Sequence, residues 1–405
     1  MSERTVLISG AGVGGPTLAY WLARNGFRVT VVERAREPRS SGNPVDVKGP
    51  AVGIAQRMGI LPQLRQAATG NTGLTFVDAN GRRTGRLDMR AVHRPGEIEL
   101  PRADLSAILF QAGREHAEYV FDDSIASLAQ DERGVEVTFE RGTARRFDLV
   151  IGADGLHSVT RRLTFGTGLV HHMGLYVATM PLGGEPGPGQ GIRDIVMHNV
   201  PGKAVAVCPV PGGEGAFFLY RAPAEPGFDP RETGRHKRML ARAFAGVSWR
   251  APELLERVRA AEDLYFDAVS RVALPRWWQG RVALLGDAAS CASLFGDGST
   301  LAMAGAYTLA GELAAGPDDP PSAFRRYESR HRRLADSRQR GVGLAAGLLV
   351  PSTRRGILMR NLAIRVWPAV SAAARLRGAL PGSRVPAATG TSTRGQNGGP
   401  ANDRS

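Results

Sequence analysis

The chain has 405 residues, 42% of them hydrophobic, and a formal charge of +14. That length supports a large core, and that composition excludes an intrinsically disordered chain. The charge does not point to nucleic acid: apart from Lys48, Lys203 and Lys237 the basic residues are arginines, scattered rather than gathered into a block. Cys208 and Cys291 form neither a CxxC nor a disulfide framework, and no metal-ligand spacing stands out. With no signal-peptide pattern and no apolar run of spanning length, a cytoplasmic location is expected.

Thr5 to Ser9 reads as a buried strand, followed by glycine-rich sequence and a helix from about Pro16 to Asn25, with Gly26 at its C-terminal end. Phe27 to Glu33 is a second strand, completing a βαβ unit. Residues 45–68 read as loop and helices. Residues 73–100 alternate polar and apolar and contain Asn80-Gly81, a hairpin signal. A helix is predicted over 102–118 and strands over 135–139 and 147–151. From about 165 to 275, short β-rich pieces separated by Gly/Pro clusters predict an inserted, mainly antiparallel sheet that closes with helix near 233–260. Residues 281–286 return to a buried strand, and helices follow from Ser299 to Ala315 and over 321–349. The expected division is 1–165, 166–275, 276–350, a helical segment 351–377 and a disordered tail 378–405. The segment 352–376 is basic and amphipathic, with Pro368 interrupting it. A helix packing its apolar face on the enzyme body accounts for it without a membrane partner.

Three short stretches carry chemistry. Gly10-Ala11-Gly12-Val13-Gly14-Gly15 is a G-x-G-x-x-G between strand and helix. Gly10 permits the turn, Gly12 lets a pyrophosphate approach the backbone, and Gly15 allows close helix packing; the helix N-terminus offers free N–H groups. Glu33, at the end of the second strand, is placed to accept bonds from ribose hydroxyls. Next, Leu149 to Arg162 runs an apolar strand into Gly152-Ala153-Asp154-Gly155, with Ser158 and Arg161 behind it. Alone, this reads equally as an Asp-Gly turn with Ser158 capping a helix. Last, Arg281 to Leu301 runs a buried strand into Gly286-Asp287, then a loop with Gly296 and Gly298 at a helix start. Asp287 is a candidate for ribityl hydroxyls, and a second capped helix is the competing reading.

These motifs, in this order and spacing, resemble the group A FAD-dependent monooxygenases, the p-hydroxybenzoate hydroxylase-like family that includes antibiotic-tailoring and tetracycline-inactivating enzymes. The resemblance covers about residues 1–350. It implies an α/β fold: a Rossmann-like FAD-binding domain with an inserted, mainly antiparallel β-sheet substrate domain and C-terminal helices. It also implies FAD as cofactor, with Gly10, Gly12, Val13, Gly14, Gly15, Glu33 and Arg34 around the ADP half and Asp154 and Gly155 in the second motif. Asp287, Gly296, Gly298 and Ser299 would lie around the ribityl and flavin region. Arg102, in Glu97–Leu105, matches the family's arginine at a helix start. Two departures are visible: Ser290 stands where the family often has His, and Ser293-Leu294-Phe295-Gly296 lacks the usual proline and is one residue shorter.

The activity implied is oxygenation (hydroxylation or epoxidation) of an electron-rich aromatic or polycyclic small molecule in secondary metabolism, through a flavin C4a-hydroperoxide, with O₂ and NAD(P)H. With one glycine fingerprint, NAD(P)H is expected to bind transiently. A flavin dehydrogenase or oxidase is the alternative on the same frame, and a non-catalytic FAD-binding protein the alternative from another class. Lys48, Lys203 and His198 are weak catalytic candidates, as likewise His171 and His172; each also reads as a surface or core residue. Trp21, Trp277 and Trp278 read as core.

Overall fold

The structure, a computed structural model, describes residues 4–37, 44–89, 94–183, 193–210, 213–291 and 297–378. Gly296, the Ser293–Gly296 departure and the tail beyond 378 lie outside the described residues.

A six-stranded sheet organises the first half. Its order is β17(Trp278–Gln279), β18(Val282–Leu284), β11(Leu149–Gly152), β1(Thr5–Ser9), β2(Arg28–Glu33), β7(Glu118–Phe121). All neighbours are parallel except β17 with β18. Val6, Leu7 and Ile8 of β1 are all fully buried, as an unbroken apolar run in a parallel sheet covered on both faces requires. Helix α1(Gly14–Arg24) packs against α4(Arg102–Gly113) and α9(Asp297–Ala315). Helix α9 is apolar nearly all round and correspondingly buried from Ser299 through Ala306.

The second half is a seven-stranded sheet: β16(Tyr265–Val272), β12(Val170–Gly183), β15(Gly213–Arg221), β14(Lys203–Val210), β13(Asp194–Val200), β4(Gly73–Val77), β5(Arg83–Asp88). Only the β13–β4 pair is parallel. The Asn80-Gly81 hairpin forms as its turn chemistry demands, with Gly81 at φ +78°. Its strands, however, extend the seven-stranded sheet. That sheet is therefore not confined to 166–275, because β4 supplies the hydrogen-bonding edge that β13 would otherwise leave open. Helices α6(Thr233–Phe244) and α7(Ala251–Ala260) cover one face around Tyr176, Phe218 and Phe244.

Helix α10(Pro320–Leu349) ties the halves together. Phe324 and Tyr327 sit in the core of the parallel sheet, while Ala346, just before its C-terminal end, packs on the other sheet's second face. Its last carbonyls are satisfied from that sheet: Arg221 donates to the carbonyl of Val350 at 2.8 Å, and Asn199 to that of Leu349 at 2.8 Å. Helix α11(Arg354–Gly378) then runs back along β5. The expected packing of its apolar face is reversed. Arg360 and Asn361 face inward, Arg360 lying 3.8 Å over the Phe76 ring and Asn361 donating to Thr84. Among its described apolar residues Ile364 joins the core, while Leu358, Met359 and Leu362 are more than 60% exposed. Sequence amphipathicity sets which residues share a face, and here polar partners on β5 and β13 decide which face turns in.

Candidate functional site

Parallel pairing makes one site of three distant motifs. Ser9 is paired with Gly152 on one side and Val32 on the other, and Gly152 with Leu284. The chain therefore leaves β1, β2, β11 and β18 at the same edge, where Gly10, Arg34, Ala153–Gly155 and Leu285–Asp287 emerge together. They line a cleft of about 410 Å³, whose wall also includes Gly12, Val13, Gly14, Glu33 and Arg102.

The three fingerprint glycines do different work. A Cβ on Gly15 would lie 1.9 Å from the carbonyl oxygen of Gly10, so Gly15 permits helix α1 to touch the turn. Gly10 sits at φ +105° with Ala153 O 2.6 Å from where its Cβ would be, so it lets β1 and the second motif close on each other. Gly12 differs: among the described residues, chain neighbours aside, its Cβ would meet nothing nearer than Arg102 Nη2, at 3.9 Å. Its missing side chain leaves open space facing the cleft, at the N-terminus of an eleven-residue helix. That space fits the approach of a dinucleotide's pyrophosphate.

Glu33 accepts from the Ala11 N–H at 2.8 Å and the Ala35 N–H at 2.9 Å, which fixes its carboxylate beside the fingerprint. Asp154 is engaged by its own helix α5(Val159–Phe165): Ser158 Oγ, Thr160 N–H at 2.9 Å and Thr160 Oγ1 at 3.0 Å all donate to it. Ser158 in turn caps that helix by accepting from Arg161 N–H. The buried Arg161 donates to the Ala288 carbonyl at 3.0 Å, linking the second motif to the third. Asp287 is enclosed at the head of the short helix α8(Asp287–Ser290). Burial pushes its carboxyl pKa up, opposed mainly by the Arg102 charge. Burial likewise raises the Tyr265 phenol across the cleft.

The opposite wall belongs to the second sheet. Val177, Phe217 and Val269 present an apolar surface, and Asp267 of β16 faces His157 of the second motif, 2.9 Å from its Nε2. A third contribution comes from β3(Pro44–Val47), which pairs with β6(Ile98–Pro101) and docks on the N-terminus of α9. There Ser299 Oγ donates to the Asp46 carbonyl at 2.6 Å, Thr300 Oγ1 to the same oxygen at 2.8 Å, and Lys48 N–H to Thr300 Oγ1 at 3.0 Å. Lys48 Nζ pairs with the Asp46 carboxylate at 2.7 Å. Burial nevertheless holds the Asp46 pKa up at about 6, the lysine only partly offsetting it.

Of the cofactor candidates, Gly10, Gly12, Val13, Gly14, Glu33, Arg34, Arg102, Asp154, Gly155, Asp287, Gly298 and Ser299 line this one cleft, and Gly15 lies behind it. The catalytic candidates do not line it. His198 is buried with Nδ1 against the Val77 carbonyl at 3.1 Å and Nε2 near Ser248, a position that packs the sheet against the loop before α7. Lys203 starts β14 at the Pro201-Gly202 turn, and Lys48 is spent on Asp46. His172 holds the Ala222 carbonyl, and His171 is exposed. The residues that sequence reasoning missed are His157, Asp267 and Asp46. The two acids carried a signal: each interrupts an apolar strand (Val45-Asp46-Val47, Phe266-Asp267-Ala268), and a buried strand acid requires a partner. Among the described residues no metal-binding group is present.

Known proteins match this arrangement. The family profile described as an FAD binding domain matches residues 3–338. A flavin-dependent monooxygenase of Legionella longbeachae is 34% identical over 353 residues, covering 85% of this chain and 90% of its own. An uncharacterized protein of Mycobacterium tuberculosis is 40% identical over 347 residues, covering 83% and 92%. The crystal structure of tetracycline destructase Tet(51) superposes with a TM-score of 0.78 at 30% identity, covering 91% of this chain and 98% of that one. Fingerprint, cleft and relatives agree: the chain belongs to the group A FAD-dependent monooxygenases.

Proposed function

We propose that this enzyme uses NAD(P)H and O₂ to oxygenate an electron-rich aromatic or polycyclic small molecule, the substrate lying between the flavin and the apolar wall of Val177, Phe217 and Val269. The observation that carries the reading is the two-sided cleft: one side has the features of a dinucleotide site, and the other comes from a different sheet and presents Val177, Phe217 and Val269 beside Asp267. Gly12 and the N-terminus of α1 would take the pyrophosphate, Glu33 the ribose, and Asp287 the ribityl hydroxyls. Arg102, at the first turn of α4, supplies the positive charge between them. Asp154 is a positioning residue, since its oxygens serve α5. Bound FAD supplies the redox chemistry and the activation of oxygen. The chain's part is to hold it, to exclude water with the apolar wall, and to set charge at the N-terminus of α9.

A role in secondary metabolism fits the open, apolar substrate side, and the likeness to a tetracycline destructase suggests polycyclic phenols as first probes. The test is an oxygen-electrode assay on the FAD-loaded protein with NADPH or NADH and a panel of phenols and tetracyclines. Substrate-dependent consumption of nucleotide and O₂ in equal amounts, with a product one oxygen atom heavier, is the expected result. A product that loses two hydrogens and gains no oxygen would establish the dehydrogenase or oxidase chemistry instead.

A further inference from the structure

Six of the large apolar side chains exposed among the described residues lie on one structural unit. Leu344 (74%) and Leu348 (51%) are on the last turns of α10; Leu358 (68%), Met359 (72%), Leu362 (62%) and Val366 (47%) are on α11. Two others exist elsewhere, Leu163 and Val170, and they are barely past one-third exposed. On α11 the spacing 358, 362, 366 is a helical stripe. Both helices pack against the same side of the seven-stranded sheet through Ala346, Leu349, Val350 and Ile364, so their opposite sides turn outward together. The inward contacts of α11 are largely polar, which makes this helix the reverse of an ordinary surface helix.

The charge of this stretch of chain is one-sided. Between Asp336 and Asp403 the sequence has no acidic residue. Arg340, Arg354 and Arg355 are exposed, and no ion pair joins them to an acid among the described residues. We propose that the C-terminal part of α10 together with α11 seats the protein on an anionic lipid surface. The leucines and Met359 would enter the acyl boundary, and the arginines would meet the headgroup phosphates. The seat is interfacial, as no helix among the described residues is long and apolar enough to cross a membrane.

Other occupants of this face fit less well. The tail after residue 378 offers little beyond Leu380 and Val385 to cover it. A second copy of the chain would set arginine against arginine with no acid between them. A nucleic acid would use the arginines and leave the leucines in water.

Flotation of the full-length, FAD-loaded protein tests this, using vesicles of phosphatidylcholine alone and of phosphatidylcholine with phosphatidylglycerol. The protein is expected to float with the anionic vesicles at least about tenfold more than with the neutral ones, and to be released by salt. Combined Leu358→Ser, Met359→Ser and Leu362→Ser should abolish flotation with melting temperature and FAD content unchanged, since all three side chains are exposed. Arg354→Glu with Arg355→Glu should do the same. Wild-type protein that stays behind at low salt, or a triple-serine variant that floats like wild type, overturns the proposal. A wild-type dimer in light scattering that the serine variant converts to monomer would also overturn it, and would assign the face to a second copy.

Discussion

The two walls of the cleft are built by different rules. On the parallel-sheet side Gly10, Arg34, Ala153–Gly155 and Leu285–Asp287 come from short contiguous stretches at the strands' C-terminal ends, because parallel strands empty onto one edge. On the seven-stranded side the cleft is met by the flanks of long antiparallel strands, where Val177, Phe217, Asp267 and Val269 take their direction from the register. The first wall is thus a fixed cofactor frame. The second is built from strand side chains that belong to another sheet's core.

The comparison can be broken at several points, with effects of decreasing size. The fold-bearing glycines come first. Gly15→Ala places a methyl within 1.9 Å of a backbone oxygen and is expected to cost about 3 kcal/mol or more, read by chemical denaturation of apo-protein. Stability at low pH is the next test of the same half. His331, buried between Trp277 and Tyr327, is held down at about 4 by its burial. A histidine whose folded pKa is depressed stabilises fully above its unfolded value and loses that contribution as pH falls toward 4. Wild type should therefore lose roughly 3 kcal/mol relative to His331→Phe between pH 6.5 and 4. Equal slopes for the two proteins would show that His331 takes up its proton without cost.

Asp287→Ala should then raise the FAD dissociation constant about ten- to hundredfold, the loss of one charge-assisted bond. The apo melting temperature should hold or rise, because burial already disfavours that carboxylate. A lowered apo melting temperature with unchanged FAD affinity would make Asp287 a turn residue only. The smallest effect on cofactor belongs to the other wall. Phe217→Ala should leave FAD affinity within about twofold while changing the Michaelis constant of any substrate found, since Phe217 belongs to the sheet opposite the cofactor frame.

The same contrast explains what was legible in the sequence. The βαβ unit and the two later strand-to-glycine turns could be read because local spacing encodes them, and Arg102 only through the family resemblance of Glu97–Leu105. The Asn80-Gly81 hairpin could be recognised as a hairpin, but not as part of the far sheet, since nothing local in 73–88 specifies pairing with β13. His157 lies within the second motif but carries no local signal, because its partner Asp267 lies 110 residues away. Lys48 is a candidate by its place in a family loop, His198 as a possible base and Lys203 by the turn before it; in the fold His198 faces the Val77 carbonyl, Lys203 begins β14 and Lys48 pairs with Asp46. Amphipathicity revealed that α11 has two faces but not which one the sheet would take.

The central claim is that the cleft opposite Gly12 is where FAD binds, and Gly12→Val tests it most directly. Among the described residues, chain neighbours aside, only Arg102 Nη2, at 3.9 Å, comes within 4 Å of the added Cβ, and that flexible side chain can move aside for the γ-methyls, so the apo-protein should melt close to wild type. The valine would fill the pyrophosphate's approach, so titration of apo-protein with FAD, followed by quenching of flavin fluorescence, should show binding weakened by at least about a hundredfold. A Gly12→Val protein that melts normally and binds FAD as tightly as wild type would contradict the account.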